Sequence, residues 1–171
     1  MEYKLIDNFL PEEDFLFVKN MFLSSEFPWF LNGSIVDNVK ILNEKSTDSF
    51  QFTHTFFDNW SFKSEWATNL APIIDKINPK AWLRIKANLG PKHDLIEEQG
   101  YHTDYSFNCT TAILYLTTNN GYTIFEDGTK IESVENRFVE FNSELKHSGT
   151  SHTDSRVRVV LNMNYFKDGG R

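Results

Sequence analysis

The chain has 171 residues, enough for one domain with a continuous hydrophobic core and short for two. Hydrophobic residues make up 40% of it, with sixteen Phe and four Trp, so the chain is not of the disordered class. A net charge of −7 argues against a protein that grips nucleic-acid backbones over a wide surface. No secretory leader and no long apolar run is found, so we expect a cytoplasmic protein without membrane partners.

The first half of the chain predicts helices and loops. Apolar residues recur at helical spacing over 8–24, where Asn8 is taken as the helix start. The stretch 25–49 is predicted to be rich in loops, and 50–57 consists of β-formers. A second amphipathic helix is predicted from Ser64 to Ile77, before an Asn-Pro pair.

The second half predicts a series of short strands separated by Gly, Asn and Asp turns. These strands are Ala81 to Leu89, Cys109 to Thr117, Tyr122 to Phe125, Arg137 to Phe141 and Val157 to Phe166. Helices followed by many strands are typical of an α+β domain built on a β-barrel or sandwich. We therefore expect one domain over 1–171, with helical support at about 1–80 and a β core at about 81–166.

The single cysteine, Cys109, lies among strand-forming residues and has no second cysteine to pair with. A disulfide framework within the chain is therefore excluded, which fits a reducing compartment. We expect Cys109 to be a buried free thiol.

Three residues are candidate metal ligands. His102 and Asp104, in Tyr-His-Thr-Asp, lie two residues apart, and on a strand such side chains point to the same face. Alone, this pair is more often structural or simply exposed. His147 follows the predicted strand 137–141 through a short polar turn, where a barrel could return it beside the pair. Two histidines and one carboxylate form the facial triad of non-haem Fe(II) oxygenases, so the sequence predicts an iron site.

Taken in order along the chain, these residues resemble the 2-oxoglutarate and Fe(II)-dependent oxygenase superfamily, and within it the prolyl 4-hydroxylase-like branch. Besides His147, the likeness rests on the segments 101–104, 111–116, 120–125, 137–141 and 158–166. It implies a double-stranded β-helix core, a jelly-roll of the cupin-like kind, with N-terminal helices packed on one sheet. It also implies Fe(II), 2-oxoglutarate and O2 as cofactor and co-substrates, with ascorbate as a further candidate.

The resemblance implies a reaction and a co-substrate site. In this superfamily 2-oxoglutarate is decarboxylated to succinate and CO2 while a substrate C–H bond is hydroxylated. Asp104 argues against the halogenase variant, in which a halide takes the place of the carboxylate. A basic residue on the last core strand pairs with the far carboxylate of 2-oxoglutarate; Arg158 is our assignment and Arg156 its competitor. Tyr115 matches a tyrosine whose hydroxyl helps to hold that carboxylate, with the alternative that it only fills space in the barrel.

The alternation of the last strand favours Arg158. Val157, Val159, Leu161 and Met163 form an apolar face, while Arg158 and two asparagines interrupt the opposite one. A polar-lined interior is therefore predicted. Because an unpaired buried guanidinium is costly, a planar anion such as a carboxylate is its natural partner.

Several other polar residues receive weaker assignments. Four further candidates for the substrate side of the site are Tyr101, Asn88, Arg84 and Trp60. His54 is interpreted as a hydrogen-bonded strand histidine and His152 as a solvated loop histidine, and neither enters the metal site. The charged stretch 92–98 is interpreted either as a solvated loop or as a loop that orders over the substrate.

Three functions stay open on the sequence alone. The first is hydroxylation of a prolyl or similar residue in a peptide or protein. The second is oxidation of a free amino acid, a small metabolite or a nucleobase, because substrate choice in such barrels lies in loops. The third is a non-catalytic cupin-like binding module. The Asn-, Lys- and Phe-rich composition is similar to that of small oxygenases of tailed bacteriophages, which would place the protein in the host cytoplasm; the sequence does not fix the oligomeric state.

Overall fold

The computed structural model describes residues 2–33 and 50–167, so most of the predicted loop-rich stretch lies outside the described residues. The elements in chain order are β1 (Tyr3–Ile6), α1 (Glu12–Leu23), β2 (Phe30–Asn32), β3 (Gln51–Asp58), β4 (Ser61–Phe62), a 3-10 helix (Glu65–Leu70), α2 (Ala71–Ile77), β5 (Ala81–Pro91), β6 (Thr110–Tyr115), β7 (Tyr122–Phe125), β8 (Lys130–Glu132), β9 (Phe138–Asn142), β10 (His147–Gly149) and β11 (Val157–Phe166). No helix in these ranges is long and apolar enough to cross a membrane.

The strands form two antiparallel sheets. The main sheet has the order β1-β9-β6-β11-β5-β3-β2, with β4 added beside β3, and the smaller sheet has the order β10-β7-β8. This is the jelly-roll, double-stranded β-helix core that the sequence predicted, with non-local strand pairs such as β11 with β5 and β11 with β6 at its centre. The α+β fold class is therefore confirmed.

Strand β11 separates two environments, because neighbouring side chains on a strand point to opposite faces. Val159, Leu161 and Met163 lie in a large apolar core that also contains buried residues of α1, the 3-10 helix and α2. On the other face, Val160 packs in a second apolar cluster with residues of the smaller sheet. The helices thus cover one face of the main sheet, and the opposite face is left for a site between the sheets.

Helix α1 begins at Glu12 and not near Asn8, as the sequence suggested. Asn8 adopts a left-handed conformation with φ of 53°, and the following backbone is held by a distant side chain. Asn136 accepts a hydrogen bond from Leu10 N–H at 2.8 Å and donates one to Leu10 O at 2.9 Å. In a helix from Asn8 the Leu10 carbonyl would accept from Asp14 N–H. The contact with Asn136 uses this carbonyl instead, and the helix starts after Pro11.

The second predicted helix, over 64–77, is present but divided. Ser64 accepts a hydrogen bond from Trp66 N–H and opens a 3-10 helix, which passes into α2 at Ala71. Pro72 has no N–H and cannot bond back to the 3-10 turn. The two helical segments are therefore separate, and α2 begins at Ala71 with Pro72 in its first turn. Asn78 ends α2 in the left-handed conformation.

Five short strands were not predicted, namely β1, β2, β4, β8 and β10. Each has two to four residues, and β1, β2 and β4 lie mostly exposed at the edge of the main sheet. Each is too short to show a periodic pattern in the sequence, and pairing with a longer strand holds it in place. The predictions for Cys109 and His54 are confirmed: the thiol is buried, and both ring nitrogens of His54 are hydrogen-bonded.

The central strand yields a stability prediction. Leu161 is fully buried at the middle of β11, so Leu161→Ala should lower the free energy of unfolding by roughly 2–5 kcal/mol through lost burial and a cavity. Leu16→Ala on the exposed face of α1 is the matched control and should change it by less than about 0.5 kcal/mol. Urea denaturation followed by circular dichroism measures both, and similar losses for the two variants would contradict the assigned core.

Candidate metal and co-substrate site

A backbone bridge brings the two predicted histidine ligands together. His102 N–H donates to His147 O and His147 N–H donates to His102 O, each at 3.0 Å. This reciprocal pair is antiparallel, so both side chains leave the same side of the bridge, and the ring centroids lie 4.6 Å apart. His147 opens β10 in the smaller sheet, whereas His102 lies in the loop segment between β5 and β6, which has two isolated bridges, Glu98 with Thr150 and His102 with His147.

Asp104 completes a cluster of three potential ligands. The ligand atoms of His102, Asp104 and His147 all lie within 4.8 Å of one another, and His102 Nε2 is 3.8 Å from Asp104 Oδ1. Ligand atoms at right angles around an ion, each bonded at about 2.1 Å, are about 3 Å apart. Small side-chain rotations would therefore let all three bind one ion, and the donor set suits a non-haem iron facial triad.

Each histidine ring of this cluster is oriented by a backbone carbonyl. His147 Nδ1 is 3.0 Å from Leu145 O, and His102 Nδ1 is 3.3 Å from Gly100 O. Because a carbonyl only accepts, Nδ1 carries the proton and the Nε2 lone pair remains for a metal. Burial lowers the pKa of His147, so this ring stays neutral to lower pH than an exposed histidine.

The carboxylate of Asp104 is fixed by three side chains of the main sheet. Its Oδ2 accepts from Thr111 Oγ1 at 2.9 Å and from Asn164 Nδ2 at 2.8 Å, and its Oδ1 lies 3.2 Å from Arg84 Nη2. Burial alone would raise the pKa of Asp104, yet the charge of Arg84 and the hydrogen bonds hold that pKa below its usual value. The group therefore stays ionised, as a metal ligand must.

The sequence analysis did not identify Asn164 and Thr111 as site residues. Asn164 is fully buried and also accepts from Arg84 Nε at 3.0 Å, so one amide joins the guanidinium to the carboxylate. A usable signal was present, because Asn164 lies on the same face of β11 as Arg158. Nothing local in the sequence ties Thr111 to Asp104, since that contact depends on where the loop after His102 returns to β6.

A cavity between the sheets extends from the two histidines to Arg158. Its lining includes His102, His147, Thr123 and Arg158. Arg158 is only 9% exposed, and its Nε donates to Ser133 Oγ at 2.9 Å. Among residues 2–33 and 50–167 no carboxylate forms an ion pair with Arg158. A buried guanidinium without an anionic partner is expensive, which marks this end of the cavity as a site for an anion.

Arg156, the competing arginine, is exposed at the start of the strand. Its side chain is not among those that line the cavity. At the other arginine, Gly121 makes room for the stem, because a Cβ there would lie 3.0 Å from Arg158 Cδ and 2.9 Å from Ser151 O. The geometry therefore favours Arg158 as the residue that faces a bound anion.

Tyr115 lies beside Arg158 but reaches the cavity through another residue. It is fully buried, its ring lies 5.8 Å from the Arg158 guanidinium carbon, and its hydroxyl donates to Thr123 Oγ1 at 2.8 Å. Thr123 lines the cavity and pairs with Gly149, two residues beyond His147 in the strand register. Two residues of strand span about 7 Å. Thr123, which the sequence analysis missed, thus presents a hydroxyl at that distance along the strand from the metal ligand.

The four substrate-side candidates are placed differently. Asn88 lines the cavity, and its Oδ1 is buried without a hydrogen-bond partner. Arg84 contacts Asp104 and is thereby close to the metal ligands. Tyr101 precedes His102 and is 42% exposed, and Trp60 is 71% exposed in the turn between β3 and β4. The structure brings Asn88 and Arg84 to the site, while Tyr101 and Trp60 are not among the cavity-lining residues.

The prediction for His152 is wrong, because this residue is fully buried and lines the cavity. The charged stretch 92–98 covers it: His93 N–H donates to His152 O at 2.9 Å, and Glu97 N–H donates to Ser151 Oγ at 2.7 Å. The loop is therefore hydrogen-bonded along 148–152. The polar turn over 151–155 predicted that His152 would be exposed to solvent, but a second polar segment packs over this turn.

Neither a protein-family model nor a curated relative matches the chain, whereas solved structures do. A prolyl-4-hydroxylase of Pseudomonas putida is 16% identical with a TM-score of 0.62, over 97% of this chain and 92% of that one. A prolyl hydroxylase of Trichoplax adhaerens, in complex with a hypoxia inducible factor peptide fragment, is 14% identical with a TM-score of 0.67, over 96% and 83%. HygX of Streptomyces hygroscopicus, with nickel, 2-oxoglutarate and hygromycin B bound, is 11% identical with a TM-score of 0.60, over 96% and 82%.

These comparisons identify the fold. The chain has the double-stranded β-helix fold that these 2-oxoglutarate–Fe(II) oxygenases share, and two prolyl hydroxylases are among the structures with this fold. It also has a His-Asp-His cluster that could hold a metal ion. The donor set, the tautomers and the buried Arg158, which has no carboxylate partner among the described residues, fit Fe(II) and a dicarboxylate in one cavity.

The Asp104 contacts lead to a prediction on metal affinity. Asn164→Ala should weaken Mn(II) binding by about 10–100-fold, because the carboxylate loses a hydrogen bond that orients it toward the ion. Asn162→Ala, on the same face of β11 but without a described bond to Asp104, should leave the affinity within about threefold. Calorimetric titration of each variant with Mn(II) in the absence of oxygen measures this. Equal affinities for wild type and Asn164→Ala would contradict the orienting role.

Proposed function

We propose that residues 1–171 form one Fe(II)- and 2-oxoglutarate-dependent dioxygenase domain that hydroxylates a substrate C–H bond. In this proposal His102, Asp104 and His147 hold Fe(II). Arg158 binds the far carboxylate of 2-oxoglutarate, and Tyr115 supports it through Thr123. The bound iron, with 2-oxoglutarate and O2, supplies the oxidising chemistry, in which the co-substrate is converted to succinate and CO2.

One observation carries this proposal more than any other. Within the described residues, the buried side-chain atoms that have no hydrogen-bond partner are Asn88 Oδ1 and His152 Nδ1, and both residues line the cavity that Arg158 closes. Leaving a buried polar atom unpaired costs about 1–3 kcal/mol. Their clustering in one cavity supports the binding of a polar molecule there. The buried cation of Arg158 and the neighbouring ligand triad support an anionic molecule beside a metal.

The protein's own groups have definite tasks in such a reaction. The carbonyls of Leu145 and Gly100 keep the two histidine rings in the ligating tautomer. The charge of Arg84 and the hydrogen bonds to Asp104 keep the carboxylate ionised and aimed. Burial between the sheets excludes water from the co-substrate end of the cavity, which strengthens the charge pairing with Arg158.

The substrate proposed is a prolyl or similar residue in a peptide or protein. Support comes from the likeness to two prolyl hydroxylases, one of them with a bound peptide fragment. A free amino acid or other small metabolite is the second candidate, favoured by the likeness to HygX with hygromycin B bound. A nucleobase is disfavoured by the net charge of −7. A non-catalytic binding module is the third candidate.

Arg158→Ala should selectively weaken the binding of 2-oxoglutarate. Loss of a buried charge-assisted pair costs roughly 2–5 kcal/mol, so the affinity should fall by at least about tenfold. Binding of Mn(II) should change little, because Arg158 contacts none of the three ligands. Calorimetry with Mn(II) in place of iron, without oxygen, measures both affinities and avoids turnover.

Arg156→Ala is the control for this substitution. Its exposed side chain is screened by water and should contribute under about 1 kcal/mol. If Arg156→Ala weakens 2-oxoglutarate binding more than Arg158→Ala does, the assignment of the co-substrate carboxylate to Arg158 is wrong. If neither substitution matters, the co-substrate assignment fails.

Asp104→Ala should abolish turnover and leave the fold intact, since it removes a metal ligand without touching the apolar core. The assay incubates the protein with Fe(II), 2-oxoglutarate, ascorbate and O2, then measures succinate and screens peptide and metabolite pools for a gain of about 16 Da, one oxygen atom. Full turnover by Asp104→Ala would rule out the triad. Circular dichroism of the variant separates lost chemistry from lost folding.

The same assay distinguishes the three candidate functions. Mass gain in prolyl peptides supports the peptide substrate, and gain only in a small metabolite supports the second candidate. Binding of 2-oxoglutarate without succinate formation in any pool supports the binding module and overturns the enzyme proposal.

A further inference from the structure

His152 is a buried polar group that the proposed reaction has not yet used. It is 0% exposed and lines the cavity together with Arg158. Its Nε2 lies 3.2 Å from Ser155 O, whereas its Nδ1 is buried without a hydrogen-bond partner among the described residues. A buried ring nitrogen without a partner costs free energy, so a ligand that supplies one would be stabilised at this position.

The bond to Ser155 fixes the state of the ring. Because a carbonyl only accepts, Nε2 carries the proton and Nδ1 of the neutral ring has a lone pair. Burial lowers the pKa of His152, and so do the positive charges of Arg158 and His93, while Asp154 acts in the opposite direction. The lowered pKa favours the neutral ring, and a carboxylate bound beside it would favour the protonated form.

We propose that His152 is a second co-substrate-binding residue, whose Nδ1–H donates to the far carboxylate that Arg158 binds. This inference rests on the proposed function. The neutral ring takes up one proton from solvent as the dicarboxylate enters, so that Nε2–H keeps its bond to Ser155 O and Nδ1–H gains the carboxylate. Both ring nitrogens are then satisfied.

The consequence is a preference for ligands with a second carboxylate. A 2-oxo acid that lacks the far carboxylate, such as 2-oxopentanoate, can offer the metal the same keto and carboxylate oxygens but cannot satisfy Arg158 and His152. Binding of 2-oxoglutarate should therefore be linked to proton uptake, and binding of 2-oxopentanoate should not.

Two substitutions separate co-substrate binding from a structural role. An Asn side chain can place its amide near the position of Nδ1, and a Gln side chain near that of Nε2. His152→Gln thus keeps a donor for Ser155 O and loses the co-substrate contact, whereas His152→Asn does the reverse. We expect His152→Gln to weaken 2-oxoglutarate by at least about tenfold, with His152→Asn within about threefold of wild type.

The measurement is anaerobic calorimetry with Mn(II), repeated in two buffers of different ionisation enthalpy at one pH. Wild type should take up protons with 2-oxoglutarate, up to one per molecule bound, and His152→Gln should not. Mn(II) affinity and the melting temperature of both variants should stay near those of wild type. The wild-type proton count also tests the proposal if a variant does not fold.

Each contrary result has a separate meaning. A larger loss in His152→Asn than in His152→Gln would assign the residue to the Ser155 bond alone and overturn the proposal. Unchanged affinity in His152→Gln, or equal proton uptake with 2-oxoglutarate and 2-oxopentanoate, would overturn it as well. Failure of wild type to bind 2-oxoglutarate would instead overturn the proposed function on which the inference rests.

Discussion

The two-residue alternation of β11 is the constraint on which the rest of the molecule depends. This strand is hydrogen-bonded on both sides, to β5 and to β6, and so cannot shift its register without reversing both of its faces. One face closes the large apolar core, and the other carries Arg158 and Asn164 into the site. The burial that stabilises the domain therefore also fixes the positions of the charged and polar groups.

The site lowers the stability of the domain, and the destabilising groups are concentrated around one cavity. A domain of this size has a net stability of about 5–15 kcal/mol. Within the part of the chain that the structure describes, one cavity is lined by an arginine without a carboxylate partner and by two unpaired polar atoms, and their burial uses a large share of that margin. The opposite balance holds at Asp104, where burial is compensated by Arg84 and by hydrogen bonds already in place. The carboxylate of Asp104 is thus already paired and hydrogen-bonded, whereas Arg158 at the other end of the cavity would be stabilised by binding an anion.

Local patterns in the sequence were sufficient for some of these features. The His-x-Asp spacing and the short polar turn before His147 predicted the three residues that the structure brings into one cluster. The polar turn beside Arg156 favoured Arg158 as the residue for the co-substrate. These signals are short in range or periodic, so they can be recognised in the sequence without knowledge of the fold. The helix start at Glu12 could not be obtained in this way, because a side chain more than a hundred residues away holds the preceding backbone.

Three of the missed residues share one property. Thr111, Thr123 and His152 owe their contacts at the site to segments that meet only when the chain has folded. His152 is the clearest case, since its Ser- and Thr-rich surroundings are typical of a solvated turn. Hydrogen bonds from the 92–98 stretch to 151–152, and between 120–122 and 150–153, turn that environment into an interior one.

The distribution of the ligand contacts over the two sheets has a mechanical consequence. His147 lies on β10 of the smaller sheet, whereas Asp104 is held by side chains from β5, β6 and β11 of the main sheet. An ion bound by both residues would therefore cross-link the two sheets at the edge where the site lies. Opening of that edge would then be slow with the ion in place and fast without it, so amide hydrogen exchange along β7 and β10 would report metal occupancy directly.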